Sequence, residues 1–143
     1  MRNKKLFAVI IGLSLFSALA GCDRSPAPLT SQELRVIGNS KIIVAYLDFE
    51  DGTQYRFERQ EFATAKSILR CLSPIDSFRE GELDNAQVTL TYQSGHSPTS
   101  IKFKTSEEKL EFSLGKFTYV CKYKNKFVRL VEDVRKRGQK TGK

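Results

Sequence analysis

Apolar and polar positions along this chain follow two different periods, and each change of period marks an element. Lys41 to Phe49 is β-branched and apolar, Asp51-Gly52 makes a tight turn, and Thr53 to Glu58 sets Tyr55 and Phe57 against Gln54, Arg56 and Glu58. That pattern predicts a hairpin. From 60 to 72 the spacing turns helical, with Phe62, Ala65, Ile68, Leu69 and Leu72 on one face, and Pro74 ends the helix. After an irregular stretch, Gln87 to Gln93 alternates Val88, Leu90 and Tyr92 with threonines, and Ser100 to Thr105 sets Ile101 and Phe103 against Lys102 and Lys104. Leu110, Phe112 and Leu114 keep the same period. Gly115-Lys116 turns the chain, and Phe117, Tyr119, Cys121 and Tyr123 share a face. A four-strand antiparallel meander follows from these alternations.

Two further helices flank this pattern. Thr30 with Glu33 has capping-box spacing, so Ser31 to Ile37 reads as a short helix stopped by Gly38. Phe127, Leu130, Val131 and Val134 mark a final helix of two to three turns, and Arg135 to Lys143 reads as a basic tail. The expected order is ββ-α-ββββ-α. The fold class is α+β, an antiparallel sheet of about six strands with two main helices packed on one face.

Ahead of this domain, Arg2, Lys4 and Lys5 precede the uncharged apolar run Leu6 to Ala20. That run is shorter than the roughly 20 residues a bilayer-spanning helix needs, so it reads as a signal peptide. It closes on Leu19-Ala20-Gly21-Cys22, which resembles the lipobox of bacterial lipoproteins. The resemblance covers residues 1–22 only. It implies that the leader, residues 1–21, is removed and that Cys22 takes a diacylglycerol on its sulfur and an acyl chain on its amine, with palmitate a typical chain. At about 0.8 kcal/mol per buried methylene, several chains anchor a protein durably. Ordinary secretion, with cleavage after Ala18-Leu19-Ala20, is the competing reading. Asp23 resembles the enteric signal for inner-membrane retention, with outer-membrane placement left open. Residues 22–29 form a polar, proline-containing tether that reaches about 25 Å when extended. The domain then covers 30–137, and 138–143 reads as a basic disordered tail.

The chain has three cysteines. If Cys22 is lipidated, Cys71 and Cys121 remain as an even pair in an oxidising compartment, and a disulfide between them is expected. Their separation suits a structural brace rather than a redox motif.

Charge is unevenly distributed. Loss of the leader lowers the net charge from +8 to +5, and residues 122–143 carry nine basic side chains against only Glu132 and Asp133. In an exported chain this excess points to anionic lipid or an acidic protein partner rather than nucleic acid. Lys102 and Lys104 share the polar face of one strand, and Lys122, Lys124 and Lys126 continue at period two along and past the last. Together they are the candidate partner-binding surface, although lysines on exposed strands also guard against sheet aggregation.

Candidate chemistry is thin. His96 is the single histidine, in the loop Ser94-Gly95-His96-Ser97-Pro98, and adjacency of Ser and His in sequence does not build a nucleophile and base. The acidic run Glu80 to Asn85 lacks a glycine at the sixth position and a glutamate at the twelfth, so it fails as a calcium loop. No catalytic residue, metal site or cofactor is expected. The preferred expectation is a periplasmic, membrane-anchored lipoprotein acting as a non-enzymatic binding module for an envelope protein. It would serve as an immunity-type inhibitor or as an accessory subunit of an envelope or secretion assembly. The alternatives are a structural lipoprotein whose basic C-terminus contacts anionic membrane, and a hydrolase using His96. The oligomeric state is left open.

Overall fold

Thr30 caps the first helix as its spacing predicts: Glu33 N donates to the Thr30 hydroxyl at 3.1 Å, and Thr30 N donates to the Glu33 carboxylate at 2.9 Å. This helix, α1 (Ser31–Ile37), opens the domain in a computed structural model that describes residues 27–122 and 124–141. The leader, Cys22, Asp23 and Tyr123 lie outside the described residues.

The hairpin strands β1 (Val44–Phe49) and β2 (Gln54–Arg56) follow. Their turn depends on Gly52, which adopts φ 93°, and on Asp51, whose carboxylate accepts from Thr53 N at 3.0 Å. The predicted helix over 60–72 is an α-helix, α2 (Phe62–Leu69), with a 3-10 turn at each end, Arg59–Glu61 and Arg70–Leu72. Strands β3 (Ser77–Glu80), β4 (Val88–Gln93), β5 (Pro98–Thr105), β6 (Lys109–Leu114) and β7 (Phe117–Lys122) come next. Helix α3 (Asn125–Thr141) ends the described chain.

All seven strands form one antiparallel sheet in the order β2-β1-β4-β5-β6-β7-β3. The expectation of about six strands is corrected by β3, which falls in the stretch read as irregular. Its four residues are all exposed, and they form a strand by pairing with β7, about forty residues further on. A tetrapeptide holding one apolar residue carries no alternation to detect.

One register row runs Phe49, Val88, Phe103, Phe112, Tyr119 and Phe78 across the sheet from β1 to β3. The helices cover this inner face: Leu34 of α1, Ala65, Ile68 and Leu69 of α2, and Phe127, Val131 and Val134 of α3 join one buried cluster with it. The Phe103 and Phe127 ring centroids are 4.8 Å apart, and the Phe112 and Tyr119 rings stack at 5.1 Å. Burying one such ring contributes about 2–3 kcal/mol.

Helix α3 is longer than the expected two to three turns, and the tail reading is corrected from Arg135 to Thr141. Beyond Val134 the apolar stripe stops, so periodicity could not follow the helix. Polar contacts hold it instead. The Arg135 guanidinium lies 4.3 Å from the Phe49 ring centroid and 3.7 Å from the Asp51 carboxylate, and Arg137 donates to Glu61 at 3.1 Å.

The expected Cys71–Cys121 bridge is also corrected: both residues are buried free thiols. Cys71 Sγ donates to Ser67 O at 3.4 Å and Cys121 Sγ to Leu72 O at 3.3 Å, so each is turned toward a carbonyl of the α2 segment. Burial pushes the Cys121 thiol up to about 11 and raises Cys71 as well.

Candidate functional site

The helices leave the opposite face of the sheet uncovered, and its residues follow from strand alternation. Asp48, Thr89, Lys102, Ser113, Thr118 and Arg79 form one row across it; Lys104, Glu111, Val120 and Ser77 form the next, and Lys109 stands opposite Lys122. Arg56 lies at the β2 edge, its guanidinium 5.6 Å from the centroid of the Tyr46 ring, its partner in register. The strands of this face therefore carry Arg56, Arg79, Lys102, Lys104, Lys109 and Lys122 against Asp48 and Glu111.

Ionic contacts engage part of this charge. Glu111, mostly buried, accepts Lys109 at 3.0 Å and approaches Arg79 at 3.9 Å. Lys102 pairs with Glu82 at 2.8 Å, both ends well exposed. Among the described residues, neither Lys104 nor Lys122 has a carboxylate within ion-pair distance. They are the cations most free to meet an outside charge.

Part of the face is roofed by the connection from β3 to β4. Leu83 N donates to Ser113 Oγ at 2.6 Å, the Ser113 and Thr118 hydroxyls share a hydrogen bond of 2.7 Å, and Thr118 donates to Gly81 O at 2.7 Å. This chain of bonds satisfies the two buried hydroxyls and fixes the loop over β6 and β7. Beside it opens a cleft of about 650 Å³ lined by Glu80, Glu82, Asp84, Lys102 and Lys116 among others. The acidic run thus stands among lysines. Among the described residues no group of three or more His, Cys, Asp or Glu side chains is placed to hold a metal.

The five lysines expected to act together are divided. Lys102, Lys104 and Lys122 lie on the outer face. Lys124 instead donates to Ser73 O at 3.2 Å, tying the approach to α3 to the end of the α2 segment. Lys126 stands exposed on α3, beside Arg129, Leu130 and Asp133, on the helical side of the molecule. Period two continues past Lys122 in sequence, but the chain leaves the sheet there, so the shared face ends with β7. Sequence reasoning missed Arg56, Arg79 and Lys109, which reach this face. Arg56 was read as the polar side of its hairpin, whereas Arg79 lies on a strand without a local signal.

His96 is exposed between β4 and β5, where Gln93 Nε2 donates to Gly95 O at 3.0 Å. The end of α3 lies far from the start of the domain. Arg135 and Arg137 contact Asp51 and Glu61 beside β1 and β2, whereas Leu29 N donates to the Tyr119 hydroxyl on β7 at 2.8 Å. The β2 and β7 positions are five strand spacings apart, about 24 Å along the sheet.

No described helix is long and apolar enough to cross a membrane. In comparisons with known proteins, the chain matches no family, no curated protein and no solved structure.

Proposed function

We propose that this chain is a lipid-anchored lipoprotein of the periplasmic side of a bacterial membrane, and that it works as a non-enzymatic module docking an envelope protein through the outer face of its sheet. The lipobox ending in Cys22 supports the anchor, and Asp23 favours the inner membrane. The observation that carries the docking face is its basic, hydroxyl-rich surface without a helical cover, with Lys104 and Lys122 free of ion pairs among the described residues. Cationic faces of this kind steer acidic partners and set specificity more than raw affinity. The rival reading, in which the basic C-terminus lies on anionic lipid beside the anchor, is less favoured. Arg135 and Arg137 are engaged within the domain, at the edge away from its start.

The test uses the lipidated chain as bait on detergent-solubilised envelopes, beside a Lys104→Gln/Lys122→Gln variant and a Lys126→Gln control. A stoichiometric partner retained by the control and lost by the double variant is expected. A toxin identifies an immunity role, and a multi-subunit complex identifies an accessory one. Equal capture by all three sinks the outer-face assignment, and capture of nothing sinks the binding module.

A further inference from the structure

We infer that the β3 edge, centred on Phe78, is the surface the domain turns toward the lipid bilayer, with the Phe78 ring entering the boundary between headgroups and acyl chains. This rests on the lipid anchor proposed above and adds an orientation to it.

The first argument is where the chain outside the described residues joins the domain. Leu29 N is held by the Tyr119 hydroxyl at 2.8 Å, and Ser31 Oγ accepts Ile75 N at 3.1 Å, just before β3. The tether therefore ends at β7 and the entry to β3. From Cys22 to Leu29 the chain spans at most about 25 Å, which keeps this edge near the anchor. The far edge, β2, lies six strand spacings from β3, about 29 Å along the sheet.

The second argument is what that edge presents. Phe78 sits in the inner row beside Phe117 and Tyr119, with centroids at 6.0 and 6.5 Å, yet is 51% exposed. Val36, 65% exposed, stands on α1, the other element the tether enters. Aromatic rings in this setting suit the membrane interface, where the apolar body is buried to a depth of about 5–10 Å. A protein strand is a poorer occupant. β3 has four residues, two of them the charged Arg79 and Glu80, and Gly81 at φ 102° ends it. Asp76 and Glu80 outnumber Arg79, so charge does not draw this edge to anionic lipid, and the contact is apolar and survives salt.

The chain contains no tryptophan, so an introduced indole reports from one place. Phe78→Trp and Ile43→Trp are each prepared as full lipidated protein in vesicles of phosphatidylcholine and phosphatidylglycerol, with and without bromine on the acyl chains. Ile43 is the control: 55% exposed, beside β1 near the far edge. The indole at 78 is expected to shift to the blue and lose most of its emission to bromine, at low and high salt, while the indole at 43 does neither. Hydrogen exchange in the unsubstituted protein gives a second reading that needs no variant: the Ser77–Glu80 amides exchange more slowly on vesicles than in detergent. If Cys22 carries lipid by mass spectrometry but the indole at 78 is unquenched and β3 exchange unchanged, the orientation is wrong and the anchor stands. A blue shift without bromine quenching means the ring is covered by protein, and also overturns it. An unmodified Cys22 removes both the anchor and the orientation.

Discussion

The Leu29 backbone N–H donates to the Tyr119 hydroxyl at 2.8 Å, a bond across ninety positions that fixes the start of the domain to β7. Tyr119 is buried to its hydroxyl, its ring stacked on Phe112. Tyr119→Phe keeps the ring and leaves the Leu29 amide without its partner. The expected loss is about 1 kcal/mol in urea unfolding, with faster hydrogen exchange at Leu29 and α1 intact. An unchanged Leu29 exchange rate would show that the bond does not hold the start of the domain.

The two buried thiols give a test of core packing. Folded protein should react with alkylating reagents at Cys71 and Cys121 only on unfolding, because both are buried and burial holds Cys121 at about 11, far above neutral pH. Prompt alkylation of either thiol in the folded protein would show that its site opens without global unfolding.

Glu61 couples α3 to the hairpin. Its carboxylate accepts the Tyr55 hydroxyl at 2.6 Å and Arg137 at 3.1 Å. Burial by itself would raise its pKa, but bonds from Tyr55, the Glu58 N–H and Arg137 outweigh it and leave it below the ordinary 4.5. A lowered folded value means the stabilisation is complete above 4.5 and fades as pH falls through the lower value. Glu61→Gln should cost about 1 kcal/mol at neutral pH and flatten the acid limb of the stability curve. An acid limb that keeps its shape assigns the dependence to other carboxylates.

Neutralising the free outer-face cations should separate binding from folding. Lys104→Gln and Lys122→Gln should each leave stability within about 0.5 kcal/mol, because neither lysine has an ion-pair partner among the described residues. Partner capture should weaken and lose part of its salt dependence. A stability loss well beyond that range would mean these lysines support the sheet rather than serve an outside contact.

Phe127 carries the docking of α3, its ring against Phe103 at 4.8 Å and 3% exposed. Phe127→Ala should cost about 3–5 kcal/mol in chemical unfolding. Exchange protection should fall along α3 before it falls in β4 to β6. Uniform loss of protection would show that helix and sheet unfold as one unit.

Local period carried far along this chain. The hairpin, the helix over 60–72 and the four-strand meander were legible because each buries one face and so writes its alternation into consecutive residues. Asp51-Gly52 and Gly115 supplied the turns. The capping box at Thr30 was legible too, since both its bonds are local. β3 was not, because a short edge strand gains its hydrogen bonds from a distant partner and buries little of its own. Nor was the second half of α3, where ion pairs with Asp51 and Glu61 replace the apolar stripe.

The sequence by itself determined the α+β class, the meander, the inward set of Phe103, Phe112 and Tyr119, and the expectation of an anchor at Cys22. Side-chain period and processing signals are local properties, readable without a fold. Only the tertiary structure decided which cations share a surface. It kept Lys102, Lys104 and Lys122 on the outer face, joined Arg79 and Lys109 to them, and sent Lys124 to Ser73 and Lys126 to a helix. It also set the domain's start and the end of α3 at opposite edges of one sheet, because strand order depends on pairings between segments that no local pattern records.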